Sequence, residues 1–258
     1  SHHDACVTPS SITSLYAEGA RRAGVTFAFG QPATSLALGP STWELTAGGT
    51  PIRARRLVVS AGAWSKEILR RLGRPLPLTP YRTQAATLKP APAGSMEFPS
   101  VHDIDLDVYV RPEGPGRILA GDGTEKVEAD PERFVPGGDA AFLGHLAESL
   151  AFRFPGWADS EVSGAWAGVC TATPDRRPFV GPMPGAPGLY ALTGFNGFGV
   201  MRAGGAARRL ADLLAEGDTA NAPREALGPV LPERVKGPIV PFLPRPGFTL
   251  EPGEDPRF

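Results

Sequence analysis

Residues 194–210 read GFNGFGVMRAGGAARRL, a glycine-studded loop that runs straight into a helix-forming stretch. The apolar run LYALT at 189–193 precedes it as a strand, so the junction is strand, glycine loop, helix. Glycine lets the backbone come close to a flat or anionic ligand, and the N–H groups at a helix start favour negative charge. A second junction of this kind lies upstream in LVVSAGAWSKEILRRLG, residues 57–73. There an apolar strand over 57–60 stops at Gly62, and Ser65 is positioned to cap a short helix through Leu72. Either junction by itself is equally a tight connection that holds nothing. Two in one chain, each at the end of an apolar strand, point to a cofactor at the carboxyl edge of an α/β sheet.

Working outward, TPSSITSLYAEGARRAGV (8–25) places serines ahead of Ile12, Leu15, Tyr16 and Ala20 and ends in Gly24, which predicts an amphipathic helix. VTFAF (25–29) follows as a strand. WELTAG and TPIRARRLVVSAG form a hairpin whose second arm runs into the apolar strand at 57–60. From Thr79 to Gly123 the pattern becomes alternating strands separated by proline and glycine, which argues an antiparallel sheet. A helix over 139–152 carries Phe142, Leu143, Leu146 and Leu150 on one face, EVSGAWAGVC (161–170) returns as a strand, and the 194–210 stretch launches a helix from about Arg202 to Ala215. The fold class is therefore mixed α/β, with a partial Rossmann-like unit beside an antiparallel-sheet domain. The expected division is 1–78 with 160–227 in the first unit, 79–159 in the second, and 228–258 as a proline-rich tail.

Composition narrows the function classes. With 258 residues, 26 basic against 27 acidic side chains and a formal charge of −1, nothing draws the chain to nucleic acid or an anionic membrane. No apolar run reaches the length a membrane span needs. Cys6 and Cys170 supply neither a disulfide framework nor a zinc site, so a reducing, cytoplasmic setting is expected. His2, His3, His102 and His145 lack metal-ligand spacing, and no metal is expected.

In chain order, LVVSAGAWSKEILRRLG (57–73), PLTPYRTQ (77–84), YVRPEGPGRILAGDGTE (109–125), WAGVCTATPDRRPFVGP (166–182) and GLYALTGFNGFGVMRAGGAARRLADLL (188–214) resemble the FAD-dependent oxidoreductases of the D-amino-acid oxidase, glycine oxidase and sarcosine oxidase family. The similarity runs from residue 5 to about 216. It implies FAD, a small-molecule amine or amino-acid substrate, and oxidation of a carbon–nitrogen bond by hydride transfer to the flavin, with the protein supplying position and electrostatics. Family members open with a strand and a G-x-G-x-x-G turn for the FAD pyrophosphate. No such motif occurs among these residues, and residue 1 falls just ahead of the family's central helix. The resemblance thus implies either a second chain or fragment carrying that motif, or a non-catalytic piece that acts only with such a partner.

Carried over by position, the resemblance implies cofactor contacts at Ala33, at Ser60, Ala61, Gly62 and Trp64, and at Gly197, Phe198, Gly199, Val200 and Met201. The last five match the loop whose N–H groups face the flavin pyrimidine edge. Tyr109 matches a substrate-facing tyrosine of glycine oxidase-like members. Cys170 occupies the slot where some relatives place a carboxylate-binding arginine, and a thiol makes no bidentate ion pair. Met201 and Leu119 stand at or near lysines that sarcosine oxidases use for the carboxylate and for oxygen, so oxidase and dehydrogenase both remain open. Arg202 and Arg111 are the basic groups placed to compensate, and Arg82 matches an arginine taken as structural.

Overall fold

The computed structural model describes residues 6–90, 98–122 and 128–215, so the expected tail at 228–258 lies outside the described residues. In chain order these residues form α1 (Pro9–Arg22), β1 (Ala33–Leu38), β2 (Trp43–Ala47), β3 (Thr50–Ala54), β4 (Leu57–Val59), α2 (Ser65–Arg71), β5 (Thr79–Lys89), β6 (Val101–Asp103), β7 (Val108–Pro112), β8 (Ile118–Asp122), α3 (Ala140–Arg153), β9 (Glu161–Ala172), β10 (Phe179–Pro182), β11 (Leu189–Thr193) and α4 (Gly199–Ala215). The class is mixed α/β, and the strands make three sheets.

The small sheet in the order β10-β11-β4 pairs β11 with β4 in parallel, starting where Leu57 N–H bonds Gly188 O at 2.8 Å. Its strands alternate between two cores, as the period of a strand requires. Leu189, Ala191 and Phe179 face α2 through Leu69, joined by Val59 and by Trp43 of β2. Val180 and Tyr190 face the other way onto Leu210 of α4. Trp43 anchors the β1-β2-β3 sheet here by donating its indole N–H to Pro187 O at 3.1 Å.

The large sheet is antiparallel in the order β6-β7-β8-β5-β9. Directly opposed residues of antiparallel strands share a face, so the register sorts every side chain. Ala86, Leu88, Val108, Val110, Ile118 and Ala120 lie on one face, buried against Phe142, Leu146 and Leu150 of α3. The opposite face carries Tyr81, Thr83 and Ala85 of β5, Cys170, Gly168 and Trp166 of β9, Gly121 and Leu119 of β8, and Tyr109 and Arg111 of β7.

Several local expectations are corrected. VTFAF is no strand: residues 25–28 join no ladder and a turn follows at 29–30, while Phe27 and Phe29 stack at 5.3 Å beneath Arg21, and β1 forms later. The second hairpin arm is divided, because Arg55 and Arg56 lead the chain from the β2 partner strand into a different sheet. Ser65 caps nothing: a 3-10 turn at Gly62–Trp64 runs directly into α2, leaving the Ser65 hydroxyl buried with no partner among the described residues. Helix α4 starts at Gly199, three residues before Arg202. The strand at 161–172, assigned from the sequence to the first unit, pairs with β5 along its length, from Thr79↔Ala172 to Lys89↔Glu161, and so extends the large sheet.

Asp139 caps α3, accepting from Phe142 N–H at 2.8 Å. It also accepts from Arg82 at 2.7 Å and Gln84 at 3.1 Å. The Phe142 N–H and then the Arg82 guanidinium hold its carboxyl below the usual range. Asp139→Ala should cost about 1 kcal/mol as a lost cap. A depressed folded pKa means this stabilisation is complete above the unfolded value of about 3.9 and is lost as pH falls through the folded one. The Tm difference between wild type and variant should therefore be constant near neutral pH and disappear in acid.

Candidate functional site

Parallel pairing of β4 with β11 brings the two glycine junctions side by side, because parallel neighbours end at the same edge. The Thr193 hydroxyl, at the end of β11, donates to Gly62 O at 3.4 Å and ties one turn to the other. Gly62 adopts φ +51° and Gly197 φ +87°, a region that L side chains seldom enter. A Cβ added at Gly62 would meet nothing within 4 Å, and one at Gly199 would meet only Phe195 at 3.8 Å. Backbone at Gly62 and at Gly199 is thus bare and faces open space. Helix α4 begins at the second turn, so its unsatisfied N–H groups add a positive end to the edge. Bare backbone, two adjacent strand ends and a helix start fit a flat ligand with an electron-rich edge.

What holds the loop is Asn196, a residue that the glycine pattern alone does not single out. Its backbone sits at φ +56°, where asparagine is tolerated, and its side chain is 5% exposed. Its N–H bonds Thr171 O at 3.0 Å, its Oδ1 accepts from Thr173 N–H at 2.9 Å, and its Nδ2 donates to Thr173 Oγ1 at 3.0 Å and Gly194 O at 2.6 Å. The loop is thereby hooked to the end of β9. Gly194 must be glycine for this approach, since its Cβ would come within 2.5 Å of the Thr173 methyl.

Beside that hook lies a second residue the motifs pass over. Tyr81 stands opposite Cys170 in the β5–β9 register, and its hydroxyl hydrogen-bonds the Cys170 thiol. Tyr81 is 5% exposed, and burial, with the neighbouring thiol adding to it, raises its pKa far above the usual phenol value. It stays neutral. A Cβ on Gly197 would lie 3.3 Å from its hydroxyl oxygen, so the loop passes directly over it.

The other sequence-selected residues are distributed as follows. Tyr109 shares the open sheet face with Cys170 and Tyr81, and its ring lies over Gly121, occupying the space a side chain there would take. Arg111 bonds Pro112 O and pairs with Glu113. Arg202, in the first turn of α4, places its guanidinium 5.1 Å from the Phe198 ring centre. Val200 and Met201 are exposed, Met201 at 69%. Ser60 and Ala61 lead into the Gly62 turn, while the Trp64 indole donates to Glu132 on the segment crossing from β8 to α3. Ala33 begins β1, in the separate β1-β2-β3 sheet. Arg82 anchors Val135 O, Gly137 O and Asp139 on the α3 side. Among the described residues no group of histidine, cysteine or acidic side chains is arranged to hold a metal ion, and no helix is long and apolar enough to cross a membrane.

Comparison with known proteins places this geometry. Residues 1–213 match the family model described as "DAO: FAD dependent oxidoreductase". Mitochondrial dimethylglycine dehydrogenase of Mus musculus is 29% identical over 83% of this chain and 26% of its own length. Glycine oxidase of Pseudomonas aeruginosa is 33% identical over 64% of this chain and 43% of its own length. Among solved structures, L-proline dehydrogenase from P. horikoshii superposes with a TM-score of 0.73 at 22% identity, over 82% of this chain and 56% of that one. Glycine oxidase from Geobacillus kaustophilus gives 0.68 at 21% identity, over 80% and 54%. This chain thus spans between about a quarter and a half of the curated relatives it matches.

Removing the hook tests its importance. Asn196→Ala leaves the Thr173 N–H and the Gly194 carbonyl buried without their partner, which should cost about 1–3 kcal/mol. Thermal unfolding should report the loss, and hydrogen exchange at 194–198 should rise more than exchange in α3.

Proposed function

Since the chain belongs to the FAD-dependent oxidoreductase family, we propose that it forms the flavin-ring and substrate end of an enzyme oxidising a carbon–nitrogen bond in an amine or amino acid. The observation that carries this reading is the pair of bare glycine turns at adjacent ends of β4 and β11, tied by Thr193 and Gly62 and set beside the open sheet face that holds Tyr109 and Cys170. When bound, FAD would supply the hydride acceptor: the carbon next to nitrogen would give up its hydride and leave an iminium ion, which becomes the imine as the nitrogen releases a proton to solvent.

In this reading each residue has a share of the work. Backbone N–H groups of Gly197 and of Gly199, Val200 and Met201, at the start of α4, meet the pyrimidine edge and stabilise negative charge there, while the Phe198 N–H holds the turn by donating to Phe195 O. The Ser60–Ala61–Gly62 turn, with Trp64, supports the dinucleotide side. Tyr109, held flat over Gly121, offers its hydroxyl to the substrate. Cys170 contributes a small thiol already engaged by Tyr81, so the carboxylate of a simple amino acid finds no bidentate anchor at that position. Leu119 on the same face provides no cation for oxygen and Met201 on α4 none for a substrate carboxylate, which leaves transfer of electrons to an acceptor other than oxygen open beside reaction with oxygen. The relatives' names include both dehydrogenases and oxidases.

The G-x-G-x-x-G turn that cradles FAD pyrophosphate in the family is not among these residues. FAD is therefore held jointly with a segment bearing that turn, in the same protein or in a partner chain. The alternative is a non-catalytic part that acts only with such a partner. A reducing, cytoplasmic setting suits the two free cysteines.

To test the proposal, the chain is reconstituted with FAD together with the motif-bearing segment, and flavin bleaching is followed without oxygen across a panel of amino acids and secondary amines. Bleaching by at least one amine is expected. Glycine and D-alanine should be poor, since a lost charge-assisted pair in a dry pocket costs about 2–5 kcal/mol. Retained flavin that no amine bleaches would overturn the catalytic reading and favour the non-catalytic one.

A further inference from the structure

Tyr81 and Cys170 form a hydrogen-bonded pair on the open sheet face that the proposed chemistry does not use directly. The pair is placed where it touches the loop. The Tyr81 hydroxyl lies beneath Gly197, 3.3 Å from where a Cβ would sit, and Gly197 is the residue immediately after the Asn196 hook. Both supports spring from the end of β9 and the residue that follows it: Cys170 holds the hydroxyl, and Thr171 and Thr173 hold Asn196. A glycine at φ +87° is the freest point of the loop, and it is the point the hydroxyl underlies. Tyr81 is neutral and nearly fully buried, so the hydroxyl acts as a fixed dipole rather than as an acid.

We propose that Tyr81 is a positioning residue: its hydroxyl, oriented by the Cys170 thiol, sets the height and direction of the Gly197–Gly199 backbone that faces the flavin ring. This rests on the reading of that loop as the flavin-facing one. It also explains a cysteine where an arginine would serve a carboxylate better, because the thiol's partner is within the protein. The role is distinct from that of Asn196, which fixes the loop's root; Tyr81 fixes its crest.

Hydrogen exchange read by mass spectrometry on the full chain without added flavin tests the device independently of any activity. Tyr81→Phe keeps the ring and removes the hydroxyl, and Cys170→Ala removes its partner. Each should speed exchange of the Phe198 amide, which donates to Phe195 O at 2.9 Å across the loop, about tenfold while leaving α3 unchanged. Cys170→Ser, which can still pair with the phenol, should retain slow exchange. With FAD and the motif-bearing segment present, Tyr81→Phe should shift the flavin reduction potential and lower kcat with little change in KM. Unchanged exchange of the Phe198 amide in Tyr81→Phe, or an equal rise across the whole chain, overturns the proposal. If no flavin is retained while exchange responds as described, the positioning role stands and the flavin reading fails.

Discussion

The pairing of β5 with β9, from Thr79↔Ala172 to Lys89↔Glu161, sets where everything near the site can be. Because directly opposed residues share a face, this one register puts Tyr81 against Cys170, turns Arg82 and Gln84 toward Asp139, and brings Thr171 and Thr173 to the strand end where Asn196 waits. A slip of β5 by one residue would send Tyr81 to the α3 face, part it from Cys170 and turn apolar Ala86 and Leu88 outward. Burial of that core is what forbids the slip.

The two small-sheet strands that end at the glycine turns are held by a different means. Leu189 and Ala191 on one side, Tyr190 on the other, bury β11 on both faces, so it behaves as a central strand between α2 and α4. Strand β4 is short and lies at the edge of this sheet among the described residues, with Val58 36% exposed. The rigid partner thus carries the loop that makes the closest contacts, while the edge strand carries the more open turn. The side chains that anchor the loop are matched to one another: Asn196 uses both ends of its amide, Thr173 donates to Arg177 O, and Tyr81 binds Cys170, while the Thr171 and Ser65 hydroxyls are buried with no partner among the described residues. A loop anchored internally keeps its shape without its ligand, which is what preorganised electrostatics requires.

The loops that cross the sheet reinforce this arrangement from the other direction. The segment entering α3 gives Glu128 to Lys66 and Glu132 to Trp64, and its carbonyls at Val135 and Gly137 to Arg82. Exposed ion pairs of this sort contribute little stability individually. Their effect is geometric, since they join α2 and the Gly62–Trp64 turn to the large sheet.

From the sequence alone the mixed α/β class and family were legible, because strand–glycine–helix junctions and alternating strands impose periods that survive in one dimension. The glycines of both turns were legible for the same reason, positive φ being a property of the residue itself. Local propensity failed where a neighbour decided the outcome: VTFAF reads as a strand, yet among the described residues no strand pairs with it, and Ser65 reads as a cap until a 3-10 turn begins the helix earlier. Tyr81 and Asn196 carried no signal of their own. A tyrosine in an alternating strand and an asparagine between glycines are ordinary residues. Only the register of β5 against β9, and the return of β11 to lie beside β4, bring them against the same loop. Those pairings join residues far apart in the chain, and the burial that fixes them exists only once the sheets have formed.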